Sequence, residues 1–351
     1  MPAGITETDG MAYVGRVPWH NLGTQVEGDA MTAKEAIEAA NMDWTVELEP
    51  IYFARPSGGQ NWHTEIPEQR AAVRQDTQTV LGIVGNRYHV IQNTEAFSAF
   101  DAIVGAGDAI YQTVGTLWGG KKMWILAKLT AGRYTLDNGD ALESYILLDN
   151  SHDGSSALRM RLTQVRVVCS NTLSMATGKR ASFYARHTSG INSKITQARD
   201  LLGLNAVYME RFLEQCNQVA EEAFDASEME SLTRHLLDLD PDKGLNDQYG
   251  IKTDAGEAMN SLFSSGVGNK GETRWDAFNA VTEYLDYSRG YGNSVDSVGS
   301  EDEAVVEKRI ANSWFGAGAH QGEGLRQRTW SLLQLPKPEL KVALMPKVSA
   351  S

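Results

Sequence analysis

The pattern of apolar and polar positions near the middle of the chain predicts a β-hairpin. Two β-rich runs, TVGTLW and KMWILAKL, lie on either side of Gly119-Gly120. Glycine adopts positive φ at little steric cost, so this pair favours a tight hairpin turn. Residues 144–148 and 164–169 add further apolar or β-branched runs. These patterns together predict an antiparallel sheet of about four strands.

The N-terminal part combines a helical pattern with an extended one. Thr32 is a suitable N-cap for a helix over residues 33–40. Residues 44–53 follow as a run with alternating apolar positions, which predicts a strand.

A second group of elements is predicted before the hairpin. Residues 79–91 indicate a pair of strands broken at Gly85-Asn86, and Asn93 or Thr94 caps a helix that runs to residue 102. The apolar positions of this helix share one face, which we expect to be buried. They are Ala96, Phe97, Phe100 and Ile103.

Helical periodicity dominates the second half of the chain. Apolar residues recur three and four apart over residues 195–220, which predicts one long amphipathic helix. Residues 245–272 are rich in Gly, Asn, Ser and Asp and indicate a loop-rich connection, with residues 255–263 as a candidate short helix. Glu272 or Thr273 starts a further helix, and the last helical part ends at Pro336. The apolar side of the helix after Thr273 contains Trp275, Phe278, Val281 and Leu285.

The expected fold class is α+β, with an antiparallel sheet and packed helices followed by a mainly helical C-terminal part. A chain of 351 residues suggests two or three structural units. We divide it into an α+β core with a basic segment (residues 1–194), a long amphipathic helix with an acidic helical segment (195–244), the loop-rich connection (245–272) and the helical C-terminal part (273–351).

The distribution of charge changes the picture that composition alone gives. The formal net charge is −13, which by itself argues against a nucleic-acid partner. Residues 154–199 nevertheless contain eight Lys or Arg and no Asp or Glu, so the remainder carries −21. This acid-free segment is the candidate phosphate-binding surface.

We expect the acid-free segment to contact single-stranded nucleic acid. Its basic side chains would bind phosphate, and short hydrogen-bonding side chains around them suit the same task. Arg159 and Arg161 would project from one face of a strand, and Phe183 and Tyr184 could stack on unpaired bases. The predicted nucleic-acid-binding residues are Arg159, Arg161, Arg166, Lys179, Arg180, Phe183, Tyr184, Arg186, Lys194 and Arg199.

Two plainer interpretations compete with that assignment. The eight bases could be neutralised by surface ion pairs with the surplus acids elsewhere in the chain. Phe183 and Tyr184, taken alone, are more often packing residues than stacking platforms.

No catalytic, cofactor or metal motif is expected from the sequence. Cys169 and Cys216 lack ligand spacing and indicate a reducing compartment, and the chain has no glycine-rich phosphate loop. His152-Asp153 in NSHDGSS fits a tight turn better than a metal pair. No stretch is apolar enough to span a membrane, so we expect a cytoplasmic protein without a membrane partner.

Three motifs carry a resemblance to a known group of proteins. They are PWHNLG at residues 18–23, NSHDGSS at 150–156 and RVVCSNTL at 166–173. They resemble a family of phage- and plasmid-encoded proteins of unassigned function, which implies a mobile-element context and transfers no catalytic residues. The order of hairpin, further strands, basic stretch and long helix is also similar in outline to phage single-strand annealing proteins, which is an analogy at the level of the fold.

Three functional hypotheses follow. The first is a phage or plasmid DNA-metabolism protein that binds single-stranded nucleic acid, anneals strands in recombination or replication and forms a homo-oligomer; it is not an enzyme. The second is a phage protein that binds a host protein, with its acidic surface as a nucleic-acid mimic in anti-defence. The third is a metal-dependent nuclease centred on His152 and Asp153.

Overall fold

The computed structural model describes residues 6–15, 23–28, 30–57, 60–104, 109–166, 171–173, 182–187, 205–239, 251–288 and 317–345. Within these ranges the α+β class is confirmed, and the helices lie mostly in the C-terminal half. The strands are β1 (Met11–Val14), β2 (Thr24–Val26), β3 (Val46–Ser57), β4 (Gln60–Arg74), β5 (Thr79–Gly85), β6 (Ala109–Leu117), β7 (Lys122–Thr135), β8 (Ala141–Ser151), β9 (Leu158–Arg166), β10 (Asn171–Leu173) and β11 (Ser182–Ala185). The helices are α1 (Ala33–Ala39), α2 (Asn93–Val104), α3 (Asn205–Glu221), α4 (Ala226–Leu237), α5 (Ile251–Ser265), α6 (Arg274–Glu283), α7 (Ala317–Leu333) and α8 (Lys337–Leu344).

The strands form two sheets. The large sheet has the order β10-β9-β8-β7-β6-β1-β2, and β11 also pairs with β9. The small sheet has the order β3-β4-β5. All neighbouring strands are antiparallel except β1 and β2, which are parallel, so the large sheet is mixed and larger than predicted.

The predicted hairpin at Gly119-Gly120 is confirmed as β6 and β7, with Leu117 paired to Lys122. The connection has four residues instead of two, and Trp118, Gly119 and Gly120 all have positive φ. The backbone N–H groups of Gly119 and Gly120 donate to the carboxylate of Asp9 at 2.7 and 2.8 Å. The turn is therefore held by the N-terminal segment.

The first predicted helix is confirmed in detail. Thr32 caps α1 and forms a capping box with Glu35, which accepts hydrogen bonds from the backbone N–H and the hydroxyl group of Thr32. The predicted helix from Asn93 is also present as α2, and Ala96, Phe97 and Phe100 are buried on its inner face.

The strand pair predicted over residues 79–91 is wrong in its second half. Thr79–Gly85 is a strand, but it pairs with β4, and residues 88–92 form no strand. The Tyr88 hydroxyl donates to Ser151 O at 2.8 Å, and the His89 N–H donates to His187 O. These bonds hold the segment against the large sheet instead of extending the small one.

The two faces of the large sheet have different roles. On the inner face, apolar residues from the strands pack with the helices in one core, including Val114, Ile125, Leu148 and Met160. On the outer face Met11, Leu117 and Trp124 form a separate, smaller cluster. This inner core combines residues of the sheet with residues of α3 to α8. The four-part division of the chain stays a prediction.

Helix α6 lies at the centre of the helical part. All ten of its residues are buried, whereas the sequence predicted a helix with one apolar side. Arg274 at its start donates to the carbonyl groups of Leu333 and Leu335 at 2.9 and 2.7 Å. Its polar residues can be buried because such partners replace water.

The candidate short helix over residues 255–263 is confirmed but longer, and a second helix can be compared with its prediction only in part. The Gly- and Asn-rich stretch predicted as a connection contains α5, whose buried Ala255, Met259 and Phe263 recur every four residues. In α3 the buried stripe is Phe212, Cys216 and Val219. Residues 195–204, where this helix was predicted to begin, lie outside the described residues. None of the helices in the described ranges is both long and apolar enough to cross a membrane.

Candidate functional site

Arg159 and Arg161 meet over one buried carboxylate on the outer face of the large sheet. Asp149 on β8 lies opposite Arg159 on β9, and their register places Arg161 two residues along the same face. The Arg159 Nε and Nη2 atoms lie 2.8 and 2.6 Å from Asp149 Oδ2, and Arg161 Nη2 lies 3.1 Å from Oδ1. The predicted shared face of these arginines is therefore confirmed.

This cluster is asymmetric in exposure and in charge. The Asp149 side chain is 1% exposed, whereas those of Arg159 and Arg161 are 18% and 26% exposed. Two guanidinium groups face one carboxylate, so the group keeps one positive charge. The ion pairing that the plainer interpretation expected is thus present for both arginines, but it neutralises only one of them.

Tyr184 extends the same row onto a third strand. β11 pairs with β9 so that Tyr184 lies directly opposite Arg159, and directly opposed residues share a face of the sheet. The Tyr184 side chain is 56% exposed, and Arg186 just after β11 is exposed as well. Asp149, Arg159 and Tyr184 therefore form one row across β8, β9 and β11.

The remaining predicted site residues are described less fully or not at all. Arg166 ends β9 and Phe183 lies in β11, and only their backbones are described. Lys179, Arg180, Lys194 and Arg199 lie outside the described residues. Their assignment to the interface stays a prediction.

Lys122, at the start of β7, closes one end of the cluster. Its side chain is buried, and its ammonium group donates to the hydroxyl groups of Ser155 and Ser156, the latter at 3.0 Å. Asp153 Oδ1 lies 3.8 Å from Nζ. Burial lowers the pKa of Lys122, and the nearby Arg159 contributes to the same direction. No sequence motif singles out this lysine.

The NSHDGSS motif forms the turn that was predicted for it. Asp153 Oδ1 accepts hydrogen bonds from the backbone N–H and hydroxyl of Ser155 at 2.9 and 2.6 Å, and Gly154 has a φ of 76°. Ser151 and Ser156 close the turn through two further hydrogen bonds. This geometry is an Asx-turn, which explains the Asp, Gly and Ser of the motif.

His152 is wholly buried behind that turn. Asn93 donates through Nδ2 to Met42 O at 3.0 Å, so its Oδ1 atom accepts from His152 Nε2, also at 3.0 Å. Burial lowers the pKa of His152 to about 3, and the ring is neutral near pH 7. The described residues contain no group of three or more His, Cys, Asp or Glu that could hold a metal ion. The metal-dependent nuclease stays a prediction, which a cleavage assay of Asp153→Ala would test.

The model of a domain of unknown function, DUF932, matches residues 80–311, which is more than half of the chain. The chain belongs to the DUF932 family. Neither the curated proteins nor the solved structures that were compared gave a match.

The DUF932 match contains the whole row on the outer face. Lys122, Asp149, Arg159, Arg161 and Tyr184 all lie within it. The match begins in β5, so the N-terminal segment and most of the small sheet precede it. The expectation of a family of unassigned function is met, and the match carries no statement on a phage or plasmid origin.

His187, just after β11, contacts the segment at Tyr88 and His89. His187 Nδ1 donates to His89 O at 3.0 Å, and the His187 ring stacks on Tyr88 at 4.6 Å between centroids. Burial lowers the pKa of His187 to about 4. These contacts join residues about 100 positions apart, and nothing in the local sequence pattern pairs them.

Proposed function

We propose that this DUF932 protein is encoded by a phage or plasmid and binds single-stranded nucleic acid on the outer face of its large sheet, without energy input. The row of Asp149, Arg159 and Tyr184 is the observation that carries this proposal. It combines guanidinium groups with an exposed aromatic ring on neighbouring strands. Proteins that bind single strands commonly use this pair of chemistries.

The phosphate contacts are assigned to Arg159, Arg161 and Arg186. Asp149 neutralises one of the two charges of Arg159 and Arg161, and Arg186 adds another exposed charge. The local surface is therefore positive although the chain is acidic as a whole. This local excess would attract a polyanion, and salt would weaken the attraction.

The base contact is assigned to Tyr184. Its ring is more than half exposed on a sheet face where most aromatic side chains would be expected to pack. Stacking of an unpaired base on such a ring contributes about 1–3 kcal/mol. A stacked base keeps its pairing edge free, which is the arrangement that strand annealing in recombination or replication requires. A homo-oligomer would extend the face along a longer strand.

Titration with a labelled oligonucleotide at several salt concentrations tests the proposal. Tyr184→Ala should weaken binding about 5- to 150-fold, and Tyr184→Phe should keep most of the affinity because it keeps the ring. Tyr52→Ala is the matched control, since Tyr52 is 53% exposed on the small sheet. Arg186→Gln should reduce the salt slope by about 0.7 for a single strand. The proposal fails if the wild-type protein binds no single strand at low salt, or if Tyr184→Ala and Tyr52→Ala bind equally well.

A second candidate function is the binding of a host protein through an acidic surface that mimics nucleic acid. Glu210, Glu214 and Glu221 are exposed along α3, and exposed Asp225 caps α4. A row of carboxylates on a helix can imitate a row of phosphates. This function predicts a host partner that survives nuclease treatment in a pull-down and is lost when Glu210 and Glu214 are both changed to Lys.

A further inference from the structure

The position of Asp149 is unusual for a residue that contributes only to stability. Its side chain lies on the outer face between Trp124 across the β7–β8 pair and Arg159 across the β8–β9 pair. A buried carboxylate costs free energy unless it is paired, and replacement of a whole buried ion pair by apolar residues of similar volume often gives an equally or more stable protein. Apolar residues in place of the whole cluster would therefore satisfy the fold, whereas loss of Asp149 alone would leave two guanidinium groups without their carboxylate.

The contacts of Asp149 fix the orientation of both guanidinium groups. Arg159 uses one edge, Nε and Nη2, for the carboxylate, and Arg161 uses Nη2. In the part of the chain that the structure describes, Nη1 of neither arginine makes a hydrogen bond. Arg161 Nε is buried and also has no partner among the described residues, so the Nη1 atoms are the donors that could reach a ligand on the open side.

The backbone positions of the two arginines lie two residues apart along β9, a spacing that an extended ligand could follow. Two residues along a strand advance by about 6.6 Å, and both side chains are anchored to the same carboxylate. Neighbouring phosphates of an extended single strand are separated by a distance of this order. A strand that lies along β9 would place successive phosphates over Arg159 and Arg161, with a base beside Tyr184 on β11.

We propose that Asp149 is a positioning residue of the nucleic-acid interface, which holds Arg159 and Arg161 side by side so that they grip two successive phosphates. This inference rests on the proposed function. It predicts a change in affinity for a polyanion opposite to the change that charge alone predicts. Removal of a negative charge beneath two arginines should strengthen the binding of a polyanion if charge alone matters, and should weaken it if orientation matters.

The test compares Asp149→Asn with Glu143→Gln. Glu143 lies on the same strand and the same face, is paired with Lys128 at 2.7 Å, and loses the same single charge. We expect Asp149→Asn to bind a labelled single strand about tenfold more weakly than wild type at fixed salt. Glu143→Gln should bind as well as wild type or better. Equal or tighter binding by Asp149→Asn would show that Asp149 only balances charge, and would overturn the inference.

A second variant keeps the test decisive if Asp149→Asn does not fold. Arg159→Lys keeps the positive charge. The single ammonium group of lysine cannot hold Asp149 with two nitrogen atoms and reach a phosphate with a third, as the guanidinium group of Arg159 can. We expect weaker binding with an unchanged salt slope, because the number of neutralised phosphates is the same. An affinity equal to that of wild type contradicts the positioning role. If the wild-type protein itself binds no single strand, the proposed function fails, which is a separate result from failure of either variant.

Discussion

Trp275 donates its indole N–H to Asp140 Oδ2 at 2.7 Å, and this bond joins the central helix α6 to the turn between β7 and β8. The indole ring is fully buried, so the N–H group has no access to water. The bond therefore links the helical half of the molecule to the large sheet at a point where an unpaired donor would be costly.

Asp140→Ala should lower the free energy of unfolding by about 1–3 kcal/mol, because it leaves the buried indole N–H without its acceptor. Denaturant unfolding measures this loss. Asp137→Ala is the control, since Asp137 is exposed in the same turn. In a Trp275→Phe background, Asp140→Ala should cost clearly less. Equal losses in the two backgrounds would show that the bond does not connect the two halves.

Arg74 should not tolerate replacement by lysine. Its guanidinium group lies 4.2 Å from the centroid of the Trp44 ring and donates to Asp76, Thr8 O and Gly119 O. Lysine keeps the charge but not the planar fork, so Arg74→Lys should cost about 2–3 kcal/mol in denaturant unfolding. Arg70→Lys, on the same strand but in an exposed pair with Glu65, should cost less than about 1 kcal/mol. Similar losses for both variants would contradict this role.

The protein should lose stability in mild acid through His152 and His187. Burial lowers their pKa values to about 3 and about 4 from 6.5. Below pH 6.5 the unfolded chain therefore binds protons that the folded one excludes. Stability is complete above that pH and falls as the pH decreases toward the folded pKa values. Each histidine contributes about 1.4 kcal/mol per pH unit between its two pKa values.

Variants at single histidines can check that slope. His152→Asn should reduce the pH dependence of the unfolding free energy by about 1.4 kcal/mol per unit in this range. His63→Asn, at an exposed position on β4, should leave it unchanged. If His152→Asn retains the full wild-type slope, His152 is not the group that resists protonation.

The turn between β6 and β7 should require glycine for two separable reasons. Gly120 has a φ of 95°, and a Cβ atom there would lie 2.9 Å from the Trp44 ring. Gly139, in the turn between β7 and β8, has a φ of 90°, and no atom would lie within 4 Å of a Cβ atom there. Gly139→Ala should therefore cost about 1 kcal/mol from backbone strain alone. Gly120→Ala should cost about 1–3 kcal/mol more because of the contact with Trp44. Equal melting temperatures for the two variants would exclude the steric contribution.

Local signals predicted the elements that local chemistry determines. The capping residue Thr32, the glycine pair of the hairpin and the NSHDGSS turn are each specified within a few residues, and all three are present. The shared face of Arg159 and Arg161 also follows from the two-residue period of a strand alone. These features need no knowledge of the rest of the chain.

Features that depend on distant residues were missed or misjudged. The periodicity of α6 predicts one apolar side, but all its residues are buried. Its polar residues can be buried because they find partners elsewhere, as Arg274 does at Leu333 and Leu335. Asp149 was not singled out, although it anchors both arginines, because its position beneath them depends on the register of β8 against β9. Residues 154–199 contain no Asp or Glu, but the carboxylate that pairs with Arg159 and Arg161 lies just outside that segment, at Asp149.

The placement of β1 has a consequence for synthesis of the protein. Met11 pairs with Gly115, so the antiparallel partner of β1 follows it by about 100 residues. At about 5–20 residues per second, a ribosome delivers that partner roughly 5–20 s later. The four residues of β1 are all buried in the finished sheet, and among the described strands only the short β2 can pair with β1 during this interval. Until β6 emerges, the nascent chain thus carries an apolar segment without its antiparallel partner, which favours aggregation and chaperone capture.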